Sequence, residues 1–259
     1  MASPRLYKTE AIVLRQRKMG ESDRVLTLHT PAFGKVEAKA KGVRKTTSRM
    51  SGYLQPLNRV MVQLAQGRTM EVIAGCETLE SFHSLREDLE ALSRALYAAE
   101  LADRFLPERV ENNSTYRLVL DTLRRLQTGK SLDLALRYYE MRLLEEAGFR
   151  PELERCLGCE KPLRPEPNYF SPVGGGTYCG SCGPGVAGSR TLSVNGLKVM
   201  RLMQRERSYN DVGRLLMPPE LSQEVERHLR AYIVCVLERD INSAAFVERL
   251  RREQAPLEV

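Results

Sequence analysis

Residues 34–49 read Gly34-Lys-Val-Glu-Ala-Lys-Ala-Lys-Gly-Val-Arg-Lys-Thr-Thr-Ser-Arg49. In the first half Val36, Ala38 and Ala40 fall on one face and Lys35, Glu37, Lys39 and Lys41 on the other. Strict alternation of this kind marks a half-buried β-strand, because successive side chains of an extended chain point to opposite faces. After Gly42 the alternation stops. The chain becomes polar and cationic and runs too long for a tight turn. Across the stretch Lys35, Lys39, Lys41, Arg44, Lys45 and Arg49 face a single acid, Glu37.

The neighbouring sequence extends the β reading on both sides. Residues 9–18 set Ile12 and Leu14 against Val13 and Arg15, and in 24–30 Leu26 and Leu28 share a face. Residues 58–64 (NRVMVQL) and 70–73 (MEVI) complete five candidate strands, with Gly67 and Arg68 as a tight turn between the last two. Five short strands in about 80 residues suit a small Greek-key barrel of the OB type. An SH3-like barrel is the structural competitor.

From Ser84 the period becomes helical. Ser84 and Glu87 have capping-box spacing, and Leu85, Leu89, Leu92, Leu96, Ala99 and Leu101 recur at helical intervals as far as Phe105. Pro107 stops that helix. Asn113 or Ser114 can cap a second, ended by Gly129. A third runs from Ser131 to Gly148, and helical patterns resume over 194–217 and 219–240. These helices pack most economically as a bundle.

An interruption holds CLGC at Cys156–Cys159 and CGSC at Cys179–Cys182. Two residues between cysteines let one turn aim both sulfurs at one point, and two such turns can close a tetrahedral zinc site. Gly158, Gly180 and Gly183 offer the backbone freedom for these turns. Four thiolates leave no open coordination position, so the expected ion is structural. Cys76, after the fifth strand, and Cys235, in a late helix, read as ordinary buried residues.

The charge is unevenly spread. The 259-residue chain carries a net +7. Residues 1–80 hold 14 Lys and Arg against 7 Asp and Glu, and the remainder holds 26 of each. The whole excess lies on the barrel, as in a polyanion-binding module joined to a neutral one. Lys35, Lys39 and Lys41 on a strand, followed by Arg44, Lys45 and Arg49 on a loop, suit a phosphate backbone better than base edges. Arg15, Arg17 and Lys18 at the end of the first strand extend the surface, and Phe33 and Tyr53 are the nearest aromatics. Binding of this sort is electrostatic and salt-sensitive.

Other chemistry finds no footing. The TGKS at 128–131 lacks the first glycine of a phosphate-binding loop, since position 124 is Arg124. No nucleophile motif is present, and Glu145 and Glu146 read as a solvated helix face. No apolar run approaches the roughly 20 residues that cross a bilayer. The N-terminus has no signal-peptide core, so a cytoplasmic location without membrane or nucleotide partners is expected.

The phrase GESDRVLTLHTPAFGKVEAKAKGVRK, the helices and the inserted four-cysteine site together resemble the bacterial recombination mediator family RecO. The resemblance spans nearly the whole chain, and its most specific part runs from Glu21 through Thr30 and Gly34 to Arg44. It implies a non-enzymatic DNA repair protein associated with the nucleoid. Such a protein binds single- and double-stranded DNA and anneals complementary strands. It works with RecR and single-stranded DNA-binding protein to load RecA. The paired cysteines match the zinc-binding members. A zinc-containing nuclease, and a regulatory or ribosome-associated nucleic-acid-binding module, are the alternatives.

The expected architecture is α+β: a five-stranded OB-fold barrel, then an α-helical bundle with an inserted four-cysteine zinc finger. The expected boundaries are 1–80 for the barrel, 81–150 and 191–250 for the helical domain, 151–190 for the zinc insertion, and 251–259 for a flexible C-terminus.

Overall fold

The computed structural model describes residues 6–46 and 48–238. The expected C-terminal tail, 251–259, lies outside them. Five strands, β1 (Leu6–Met19), β2 (Asp23–Thr30), β3 (Gly34–Ala40), β4 (Arg59–Ala65) and β5 (Glu71–Glu80), close a barrel in the order β1-β2-β3-β5-β4. This is the Greek-key closure of an OB-fold. β1 is long enough to serve two neighbours: Leu6–Ile12 pair with β4 and Ile12–Met19 with β2.

β3 keeps the alternation of its sequence, with Val36, Ala38 and Ala40 in the barrel core. β1 does not. Ala11, Ile12, Val13 and Leu14 are all buried. A bulge shifts the register between Val13 and Arg15. Ala11 and Val13 enter the core, whereas Ile12 and Leu14 lie on the outer face of the barrel, which is also covered.

The cover is a helical hairpin. α2 (Leu89–Phe105) packs on β1, and α3 (Asn113–Leu126) on β2. Ala91, Ala95, Ala98, Ala99 and Ala102 give α2 a buried small-residue face that lets its backbone approach closely. Beneath α3 the His29 ring meets Tyr116 edge-on at 5.5 Å. The α2–α3 connection also seals the barrel where β3 and β5 pair over only two residues. Arg109 N–H donates to the Lys35 carbonyl at 3.0 Å, and Arg109 pairs with Glu71 at 3.1 Å.

Several local expectations need correction. Residues 83–86 form a 3-10 turn, and α2 starts at Leu89, capped by Asp88, whose carboxylate accepts from the N–H groups of Glu90 and Ala91. The cap of α3 is Asn112, one residue before the expected pair. Gly67 and Arg68 lie in a longer connection between Ala65 and Glu71, so they make no tight turn. β5 runs on to Glu80, two bulges in its pairing with β4 break the alternation that would have shown its length, and Cys76 therefore lies inside the strand, half-buried.

The chain divides into two compact units at Lys130/Ser131. The helices are shared between the two units. α2 and α3 belong with the barrel. α4 (Leu132–Glu146), α5 (Val194–Arg205) and α7 (Pro219–Leu237) pack on one another in the second unit, with a short α6 (Tyr209–Val212). The cysteine-bearing segment of that unit contains a small sheet, β6 (Asn168–Ser171), β7 (Gly176–Tyr178) and β8 (Arg190–Leu192), in the order β7-β6-β8. Phe170 of β6 sits edge-on to His228 and Tyr232 of α7 at 5.6 and 5.8 Å, which fixes the insertion to the helices.

Candidate nucleic-acid interface and metal centre

The β1–β2 turn and the loop after β3 lie together, because Lys18 pairs with Arg24 and Arg24 with Ala40 across three adjacent strands. At this rim Asp23 ties the two connections. One carboxylate oxygen accepts from Gly42 N–H at 2.8 Å and from the Ser22 hydroxyl at 3.2 Å, and the other pairs with Lys39 at 2.9 Å. Arg44 closes the same contact from the other side. Its backbone N–H donates to the Ser22 carbonyl at 2.9 Å, and its guanidinium to the Glu21 and Gly20 carbonyls at 2.8 and 3.2 Å. The Gly42 N–H bond, then the Lys39 bond, holds the Asp23 carboxyl at about 2, well below the usual range.

The nine expected basic residues separate into two groups. Lys18, Lys41, Arg44 and Lys45 are exposed at this rim, Arg49 is exposed at the far end of the same loop, and none of the five makes an ion pair among the described residues. The other four have acidic partners. Lys35 lies 3.6 Å from the Asp103 carboxylate of α2 and donates to the Asp103 carbonyl at 2.6 Å. Arg15 pairs with the same carboxylate at 2.9 Å, Arg17 with Glu37 at 3.5 Å, and Lys39 with Asp23. The side chain of Lys35 is only 14% exposed. The alternation of β3 gives its outward direction correctly, but outward there means under α2.

Of the two aromatics, Phe33 stands in the β2–β3 turn, at the other end of β3 from Lys41, with its ring 4.6 Å from Tyr7. Tyr53 is exposed in the short helix α1 (Met50–Tyr53), which directly follows the basic loop. Glu146 is exposed, as expected of a solvated helix face, and Glu145 is half-buried. Glu145 is paired with Arg142, Arg150 and Arg207, and Glu146 with Arg142.

The four cysteines converge. The sulfurs of Cys156, Cys159, Cys179 and Cys182 all lie within 4.8 Å of one another, and those of Cys159 and Cys179 are 3.9 Å apart. Four sulfurs about 2.3 Å from a central zinc ion stand roughly 3.8 Å apart, so this set fits a tetrahedral metal. The outer contacts fit as well. Gly158 N–H and Cys179 N–H donate to the Cys156 sulfur at 3.4 and 3.3 Å. Although burial opposes it, N–H donation from Cys179, Cys159 and Gly158 brings the Cys156 thiol down to about 6. Hydrogen bonding with Cys179 and Cys156 drives Cys182 up to about 12. Thiolates this close cannot all ionise on their own; a bound cation would supply the missing compensation.

Gly158, Gly180 and Gly183 all avoid the left-handed region, so backbone freedom does not explain them; at Gly158 and Gly183 the reason is space. A β-carbon at Gly183 would come within 2.4 Å of the Tyr169 ring, and one at Gly158 within 3.2 Å of the Cys182 sulfur.

Sequence reasoning missed Asp23 and Asp103, which with Glu37 decide which cations are free. Asp23 stands at a strand start, a position where an acid carries no distinctive pattern. Asp103 lies 68 residues from Lys35. Only the fold brings it near.

Comparison with known proteins gives two adjoining matches. Residues 1–82 match the family described as Recombination protein O N terminal, and residues 86–245 match Recombination protein O C terminal. The chain is 40% identical to a protein named DNA repair protein RecO from Dehalococcoides mccartyi, over 97% of this chain and 98% of the relative. It is 39% identical to the protein of that name from Roseiflexus sp., over 96% and 87%, and 36% identical to that from Symbiobacterium thermophilum, over 95% and 98%.

Proposed function

Because the chain belongs to the RecO family of DNA repair proteins, we propose that it is a non-enzymatic mediator that binds single- and double-stranded DNA on its barrel and anneals complementary strands. The observation that carries this reading is the gathering of Lys18, Lys41, Arg44 and Lys45 at one exposed rim, with Arg49 exposed at the end of the same loop, all free of acidic partners among the described residues. Such a rim contacts phosphates without base readout, so affinity comes from counterion release and sequence preference is weak. Annealing needs two polyanions brought together with their bases exposed. A cationic rim with few aromatics screens phosphate repulsion without trapping bases in stacks.

The four cysteines hold one zinc ion in this reading, and its role is structural, because four thiolates complete the tetrahedron. Residues 81–259 carry 26 charges of each sign, a balance that suits contacts with proteins better than with DNA. By family membership those partners are RecR and single-stranded DNA-binding protein, and the outcome is RecA loading at the nucleoid in the cytoplasm. No helix among the described residues is long and apolar enough to cross a membrane.

The test is strand annealing by purified full-length protein, with and without ATP. Faster annealing, indifferent to ATP and without strand cleavage, is the expected result. Cleavage would point to a nuclease, and DNA binding without annealing to a simple binding module.

A further inference from the structure

An acid within a surface that binds polyanions is an electrostatic liability, yet Asp23 sits in the middle of this one. Its neighbours are Lys39, Gly42 and Ser22, and the Arg44 backbone N–H is bonded to the Ser22 carbonyl next door. Every polar contact of the carboxylate goes to the rim itself. The Gly42 bond is the informative one. Gly42 has φ +64, so the chain reverses there out of β3, and the carboxylate holds that turn. Lys41 precedes the turn, and Arg44 and Lys45 follow it. All three are exposed. Their direction therefore depends on a bond made to a residue of another strand.

Resting on the reading of this rim as a DNA surface, we propose that Asp23 is a positioning residue for DNA binding, fixing the turn at Gly42 so that Lys41, Arg44 and Lys45 are presented together to the phosphates. A loop held in its bound shape loses less freedom on association, and affinity gained that way does not require contact with the ligand. The Lys39 pair serves the same end: it takes up one cation to anchor the carboxylate, leaving the turn cations unpaired. Arg44 is the complementary latch, with its guanidinium on the Gly20 and Glu21 carbonyls.

The proposal has a sign opposite to that of charge counting. Replacing Asp23 with alanine raises the net charge by one and releases Lys39, so simple electrostatics expects tighter DNA binding and a steeper salt dependence. Positioning expects the reverse. The experiment measures dissociation constants of full-length wild type, Asp23→Ala and Asp23→Asn for a single-stranded oligonucleotide across a range of salt, with a thermal melt of each protein. For Asp23→Ala the expected result is binding about fivefold weaker near 0.1 M salt, with a salt slope shallower by about 0.7 for each phosphate no longer neutralised. Asp23→Asn keeps an acceptor for Gly42 N–H and is expected between the two. Binding by Asp23→Ala as tight as wild type or tighter, or a lowered melt with affinity and slope unchanged, overturns the proposal. Should the alanine variant fail to fold, the asparagine variant carries the same test: weaker binding supports the role, and equal or tighter binding overturns it. Absence of DNA binding by the wild type would overturn the underlying reading of the rim and the role of Asp23 with it, an outcome distinct from wild-type binding that the variants leave unchanged.

Discussion

Lys35 gives its ammonium to Asp103: the Nζ lies 2.6 Å from the Asp103 carbonyl and 3.6 Å from its carboxylate. A lysine on the basic strand thus docks α2 onto the barrel. Both side chains are largely covered, so removing one leaves the other poorly compensated.

Lys35→Ala should therefore lower stability by about 2 kcal/mol, between the values typical of exposed and of buried pairs. A chemical denaturation curve measures this. A DNA-binding defect without loss of stability would show that Lys35 acts on DNA directly.

Gly34→Ala should be among the most damaging single changes in the barrel. Gly34 has φ +62, and a β-carbon there would stand 2.0 Å from the Val110 carbonyl oxygen. Backbone strain and displacement of the α2–α3 connection act together, at a cost of at least about 3 kcal/mol. Denaturation would reveal it, and a loss under about 1 kcal/mol would mean that the connection yields easily.

His29 makes stability depend on pH in a defined direction. It is fully buried under Tyr116, and burial, with the Lys35 charge adding to it, lowers its pKa to about 4. The unfolded chain therefore binds a proton at higher pH than the folded one. The stability contribution of neutral His29 is complete above about 6.5 and falls as pH drops toward 4, by about 3 kcal/mol in all. Stability measured at pH 7 and pH 4.5 should show this loss, and His29→Gln should reduce it. A pH dependence identical in the variant would assign the loss to other groups.

Cys179→Ser should release about one zinc per chain and lower the melting temperature by roughly 5 °C, since ligand convergence is coupled to folding of the insertion. Metal analysis and calorimetry measure both, and the variant is expected to retain DNA affinity. Reduced wild-type protein free of zinc would refute the metal assignment. Absence of DNA binding in a folded variant would refute only the purely structural role.

What is legible in the sequence follows from where each signal resides. β3 has a core on one face, and its alternation shows it. The cysteine pairs carry their geometry in their spacing, and the sulfurs do converge. Residues 11–14 are covered on both faces, so four consecutive buried side chains hide the period. β6, β7 and β8 are three or four residues long, too short for a pattern to repeat. The hairpin that covers the barrel reads as helical, but nothing local says which surface it covers. For the same reason the basic stretch reads as uniform. Its division into anchored and free cations is set largely by Asp23 and Asp103, and tertiary structure alone places them.

On the proposed reading, the free cations of one barrel rim bind DNA through its phosphates. Lys41 and Lys45 are the residues to change, because both are exposed and, unlike those of Lys39 and Arg44, neither side chain is tied to the loop contacts. The measurement is the slope of log Kd against log salt for full-length wild type and Lys41→Glu/Lys45→Glu, on two single-stranded oligonucleotides of unrelated sequence. The expected result is at least about tenfold weaker binding to both near 0.1 M salt, a slope shallower by about 1.4 for two phosphates no longer neutralised, and an unchanged melting temperature. Affinity and slope equal to those of the wild type would contradict it.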